Sequence, residues 1–222
     1  SRPDDMSSHY NLGNFQMGRG EMQKAVDAFE VAIRLQPDAM PPHANAALAY
    51  NALGQNDKAE ASLRRALAIE PTNAAVHLNY GMLLGEMQKM PEAEQEFRAA
   101  LKSDPKLAAA AYNLALIVSK DHPEEAMTLI TRAATLRPDE PRYAYTLALF
   151  QSRAGNAPAA IATLEKALER SPAHPQTYAL LAHIYEEQKQ PAKARAVLER
   201  AIKNEALSEE IRSAFAKHLE SL

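Results

Sequence analysis

Gly20-Glu21-Met22-Gln23-Lys24-Ala25-Val26-Asp27-Ala28-Phe29-Glu30-Val31-Ala32-Ile33-Arg34-Leu35-Gln36-Pro37 is the stretch that decides the fold. Ala25, Ala28, Phe29, Ala32 and Ile33 fall at helical spacing on one face, and Pro37 closes the run. The same wording returns along the chain. Ala25 recurs as Ala59, Ala93, Ala126, Ala160 and Ala194, at gaps of 34, 34, 33, 34 and 34 residues. The proline keeps that beat as Pro71, Pro105, Pro138 and Pro172. A fixed period of this length marks a stacked repeat, in which each unit buries its apolar face on the next.

Each repeat holds a second helical pattern ahead of the first. His9, Leu12, Gly13 and Gln16 lie on one helix face, and Gly18-Arg19-Gly20 then breaks the helix. Gly54 and Gly155 repeat that break, while Pro91, Pro123, Pro158 and Pro191 occupy the first turn of the helix that follows, where a missing N–H costs nothing. Gly13, Ala47, Gly81, Ala115, Ala148 and Ala182 recur at one site, where a small residue lets two helices approach. The large residues Phe29, Leu63, Phe97, Ile130, Leu164 and Leu198 fill the space between them. The fourth repeat is one residue short around Ser119-Lys120-Asp121-His122-Pro123, which predicts a tightened turn.

The expected organisation is a linker or tail over 1–5, then repeats over 6–39, 40–73, 74–107, 108–140, 141–174 and 175–207, forming one continuous array. Pro3 lies on the proline beat, so the opening residues read as the tail of an upstream element. Beyond Ala194 the beat lapses at Ala206. Ser208 then reads as an N-cap with Glu209 and Glu210 in the first turn, and Ile211, Phe215, His218, Leu219 and Leu222 form one stripe. A capping helix over 208–222 is expected there, making thirteen helices.

Composition narrows the function. Apolar residues are 46% and charged residues 24%, a globular balance. A net charge of −3 gives no basic footprint for neutralising phosphates, so no nucleic-acid partner is expected. No long apolar run predicts membrane insertion. Without cysteine there is no disulfide, thiolate zinc site or haem attachment motif, which suits either cytoplasm or periplasm.

Two helices per repeat, with Leu12-Gly13, Ala25, Phe29, Ala32 and Pro37 in these relative places, resemble the tetratricopeptide repeat (TPR) family over about residues 6–208. The resemblance implies an all-α fold, a right-handed superhelical solenoid of six helix pairs with first helices lining its inner surface. It also implies a scaffold that binds proteins or peptides. The aromatic usual near the start of the first helix is replaced by His9, His43, His77, Ala111 and Ala144, returning only as Tyr178, which predicts looser packing there. Arg137-Pro138-Asp139-Glu140-Pro141-Arg142-Tyr143-Ala144-Tyr145-Thr146-Leu147-Ala148 resembles TPR tails of bacterial periplasmic multihaem cytochromes.

The sharpest signal beyond fold is Asn11, Asn45, Asn79 and Asn113, spaced by 34 and set just before the packing position of each first helix. Tyr10, Leu48, Leu78, Met82, Tyr112, Leu116, Tyr145 and Leu149 border that face. A carboxamide offers donor and acceptor to a peptide backbone. Repeats roughly 10 Å apart would meet about every third residue of a strand rising about 3.3 Å per residue. This resembles the asparagine ladder in the TPR region of O-linked N-acetylglucosamine transferases; Thr146 and Leu180 end the series after four repeats. The competing reading is that these asparagines bridge neighbouring helices, and that Leu78 and Leu149 are core.

Other sites are weaker. Tyr10 and Ala75 stand where chaperone-binding TPRs place clamp lysines, although Asn14, Asn45 and Asn79 fit in part. Lys120, Arg142 and Arg153 form a positive set suited to an acidic segment, or a plain solvated surface. His9, His43 and His77 lie too far apart to share a metal and read as packing residues, and His183 with Glu186 and Glu187 reads as a solvated cluster. No phosphate loop, G-x-S-x-G or H-E-x-x-H occurs. The expectation is a non-catalytic interaction scaffold without cofactor or metal, binding a peptide or partner segment in a concave groove. Two alternatives stand beside it: an arm of a larger enzyme or redox protein, and a homo-oligomer formed through the exposed terminal repeat.

Overall fold

The computed structural model describes residues 5–222. The described residues form thirteen α-helices and no strand. Paired in chain order they are α1 (Met6–Gly18) and α2 (Met22–Leu35), α3 (Met40–Ala52) and α4 (Asn56–Ile69), α5 (Ala74–Glu86) and α6 (Met90–Ser103). Then come α7 (Ala108–Val118) and α8 (Pro123–Leu136), α9 (Pro141–Arg153) and α10 (Ala157–Arg170), α11 (Pro175–Glu187) and α12 (Pro191–Ile202), and last α13 (Glu209–Glu220). The fold is the all-α TPR class. The helices gather into two compact units, one up to Ile117 and one from Val118 onward. The expectation for Ser1-Arg2-Pro3-Asp4 lies outside the described residues, while Asp5 caps α1 by accepting from the Ser8 N–H at 2.7 Å.

Each second helix buries the stripe its sequence predicts. Ala25, Ala59, Ala93, Ala126, Ala160 and Ala194 are all buried, as are Phe29, Leu63, Phe97, Ile130, Leu164 and Leu198. Some first helices are covered more widely: α3 buries Ala44, Ala46, Ala47 and Ala49 together, whereas α1 buries only Gly13. A helix gripped on several sides has room mainly for small side chains. The second unit's core runs through Leu164, Tyr178, Leu181, Ile184 and Leu198 to Phe215.

The turns between paired helices follow one geometry. Gly20, Gly54 and Gly155 are left-handed, and Gln88 (φ 61°) and Lys189 (φ 55°) hold the same conformation at the same place. The residue that follows closes each helix end: the Gln55 N–H donates to the Tyr50 carbonyl at 2.9 Å, and the Lys89 N–H to the Leu84 carbonyl at 2.8 Å. The fourth repeat departs from this. α7 has 11 residues where α5 has 13, and the His122 N–H donates to the Val118 carbonyl, four residues back rather than five, at 2.8 Å. The missing residue removes the left-handed position, but the turn is not shortened as its sequence predicts: four residues, 119–122, link α7 to α8 where three link the other described pairs, because α7 ends two residues early.

Polar staples join neighbouring hairpins. In the first unit, Glu60 of α4 accepts from Arg64 Nη2 at 2.8 Å, Tyr80 OH at 3.0 Å and Lys89 Nζ at 2.8 Å. Lys89 above all, with Arg64 beside it, holds the Glu60 carboxyl down to a pKa of about 2. In the second unit, α13 docks Phe215 edge-on to Tyr178, with ring centroids 6.2 Å apart, and places His218 Nε2 3.0 Å from a Glu186 oxygen. Ile211 and Leu219 pack with Phe215 as expected, but Leu222 lies past the end of the helix and is exposed, so the stripe stops one turn early.

Candidate functional site

The first helices of the first unit carry the asparagine series, and its members differ. Asn45, on α3, is half-buried and donates through Nδ2 to Asn14 Oδ1 at 2.7 Å and to Tyr10 OH at 3.1 Å, both on α1. That residue is a bridge between helices. Asn113 donates back to the Ala109 carbonyl of its own helix at 2.8 Å. Asn11 is exposed and Asn79 is half-buried.

Three residues after three of these asparagines lie Leu48, Met82 and Leu116, which are 39%, 46% and 42% exposed. They occupy one helical position in α3, α5 and α7, so each helix repeats the same open apolar side chain beside the same carboxamide. Tyr10, Leu78 and Tyr112 are half-buried, and Tyr10 packs its ring 6.0 Å from that of Phe29.

The histidine register holds a device that the sequence does not announce. His43 Nε2 lies 2.9 Å from the Pro37 carbonyl, and His77 Nε2 the same distance from the Pro71 carbonyl. In each case the ring ties a first helix to the proline loop that precedes it. Packing at these two positions is therefore made with a directed hydrogen bond. His77 also sets Nδ1 2.6 Å from Glu96.

The second unit holds the cationic set, and the structure divides it. Lys120 and Arg153 line one cavity of about 390 Å³. Arg142 sits at the opposite end of α9, with its guanidinium 3.4 Å from Glu140 and over the Tyr143 ring. Tyr145, on the same helix, is half-buried and stands edge-on to His174 at 6.1 Å; Leu149 is half-buried. His183 pairs with Glu187 at 3.4 Å, whereas Glu186 turns to His218, so the three do not converge on one point. Among the described residues no group of three acidic or histidine side chains is placed to hold a metal, and no helix is long and apolar enough to cross a membrane.

Tetratricopeptide repeat models match residues 50–117 and 151–217 with one form and residues 1–39 with another. No curated protein matches the chain in sequence. Among solved structures, PilW, a widely conserved type IV pilus biogenesis factor, superposes with a TM-score of 0.75 at 24% identity, covering 94% of this chain and 97% of its own. PilF of Pseudomonas aeruginosa gives a TM-score of 0.74 at 22% identity over 96% and 97%. YrrB, a TPR protein with an unusual peptide-binding site, gives 0.69 at 20% identity over 89% and 100%. At these identities the likeness is one of fold. The family match, by contrast, covers more than half of the sequence and falls on hairpins with the small-to-large packing just described; the chain belongs to the tetratricopeptide repeat family, whose fold is that of protein–protein interaction scaffolds.

Proposed function

We propose that the first unit binds an extended peptide along its row of first helices. The observation that carries this is the exposed series Leu48, Met82 and Leu116, each three residues after an asparagine. Single exposed apolar residues are ordinary, but a row repeated at one helical position sets apolar surface on successive helices that gains by being covered. The peptide's apolar side chains would rest on this row. The carboxamides would meet its backbone, Asn79 with both its groups and Asn45 with the carbonyl oxygen that its bridge leaves unused.

Peptide display on the intact chain and on a Leu48→Asp/Met82→Asp variant tests the reading. These side chains are exposed, so the variant keeps the wild-type circular dichroism. A motif enriched on the wild type and lost on the variant supports the site; the same motif recovered from both rejects it.

A second reading, self-association through α1, has its own observation. Leu12 and Phe15 are 44% and 62% exposed, whereas their counterparts Ala46 and Ala49 in α3, and Tyr80 and Leu83 in α5, are buried. Two copies meeting through this face would form an isologous pair. Sedimentation should then show a dimer that Phe15→Asp dissociates, and a monomer at high concentration excludes it.

A further inference from the structure

We infer that the second unit carries a separate pocket for an acidic peptide segment, one that presents a large apolar side chain beside a carboxylate. The pocket lies where the fourth repeat has lost its residue. Its floor is Pro123 and Met127 of α8 with Phe150 and Ala154 at the end of α9, and its volume of about 390 Å³ admits a large side chain.

Phe150 shows why the pocket is there. Ala49, Leu83 and Ile184 hold the same position in α3, α5 and α11, and all are buried. Phe150 is only half-buried although it is the largest of the four. The lost residue removes the left-handed turn, and beside the altered turn a half-buried phenyl ring and a flexible Met127, a side chain that adapts to irregular partners, line the cavity together.

The rim supplies the charge. Lys120 and Arg153 both line the cavity, both are exposed, and among the described residues neither is engaged in an ion pair. Asp121 and Glu124 of the same turn are exposed and lie outside the lining. Two unpaired cations over an apolar floor select an anionic group next to an apolar one, the cations through steering and register, the floor through burial.

The pocket is independent of the row on the first unit, and its test keeps the two apart. The probe is a fluorescent Gly/Ser-rich peptide carrying one Asp-Phe-Asp element, compared with Asn-Phe-Asn and Asp-Ala-Asp versions by anisotropy on the full chain. The Asp-Phe-Asp probe should bind, with either altered probe at least about tenfold weaker and the Lys120→Ser/Arg153→Ser variant weakened to the same degree. Amide resonances of Met127, Phe150 and Ala154 should shift on titration. Equal binding of the Asn-Phe-Asn probe, no binding of any probe, or an unchanged affinity in the double variant overturns the assignment. Leu48→Asp/Met82→Asp should bind the probe as the wild type does; loss in that variant alone places the ligand on the first unit and also overturns it.

Discussion

The ring of Phe97 occupies the space that a side chain at Gly81 would need: a Cβ there would lie 2.7 Å from Cε1 of the ring. Gly13 and Phe29 repeat the relation. Where the large partner is aliphatic, the small one gains a methyl, as in Ala47 with Leu63, Ala148 with Leu164 and Ala182 with Leu198. Volume is conserved across the pair within one chain. Gly81→Ala should therefore destabilise the protein by about 1–3 kcal/mol through overpacking. Adding Phe97→Leu should recover most of that, giving a coupling of about 1 kcal/mol or more in a double-mutant cycle followed by urea denaturation. Strict additivity would show that the two residues do not compete for one space.

That pairing was legible in the sequence because it is a repeated local pattern, and so were the helices and the prolines in first turns; the fourth repeat's deletion was legible too, but the end of α7 absorbs it and the turn does not. Side-chain partners were not. Asn45 meets residues 31 and 35 positions away on another helix, a geometry that periodicity does not encode. The division of the cationic set has a simpler reason: Arg142 and Arg153 lie at opposite ends of one helix, about 16 Å apart at 1.5 Å per residue. The histidine ties could have been found by asking where the Pro37 and Pro71 carbonyls go, since a loop carbonyl near a helix start needs a donor.

Asn45 and Asn79 should separate structure from binding. Asn45→Ala removes two interhelical hydrogen bonds and leaves the Asn14 carbonyl and Tyr10 hydroxyl without their shared partner, a loss of about 1–2 kcal/mol. Asn79 bridges no helices, and Asn79→Ala should change stability by less than about 0.5 kcal/mol while weakening any peptide selected on the first unit. Thermal denaturation of both variants, set beside their peptide affinities, checks this. Equal destabilisation of the two would remove the distinction.

Glu60 makes part of the stability depend on acid. Its side chain is 14% exposed and its carboxyl is held down to a pKa of about 2 by Lys89 and Arg64. A depressed carboxylate stabilises the folded chain fully above its unfolded value of about 4.3, and that contribution disappears as pH falls toward the folded value. Glu60→Gln should cost about 1–3 kcal/mol at neutral pH, and the gap to the wild type should narrow between about pH 4.5 and pH 2. Denaturant midpoints measured across that range give the answer; a gap independent of pH would mean that the staple acts through packing alone.

The left-handed turns give the cleanest backbone experiment. Gly54 has φ 72° with no atom within 4 Å of where a Cβ would sit, so Gly54→Ala meets no steric neighbour and costs only the conformation, about 1 kcal/mol. Gln88 and Lys189 already bear that cost at φ 61° and 55°. Gln88→Gly and Lys189→Gly relieve it but add freedom to the unfolded chain, for a net stabilisation of about 0.5–1 kcal/mol each. Because they lie in different units, their effects should add in a combined variant. His122 supplies the internal control: its φ of −133° shows no left-handed strain, so His122→Gly should destabilise instead. Opposite signs at Gln88 and His122, read as shifts in denaturant midpoint, would tie the gain to backbone conformation; the same sign at both would tie it to glycine itself.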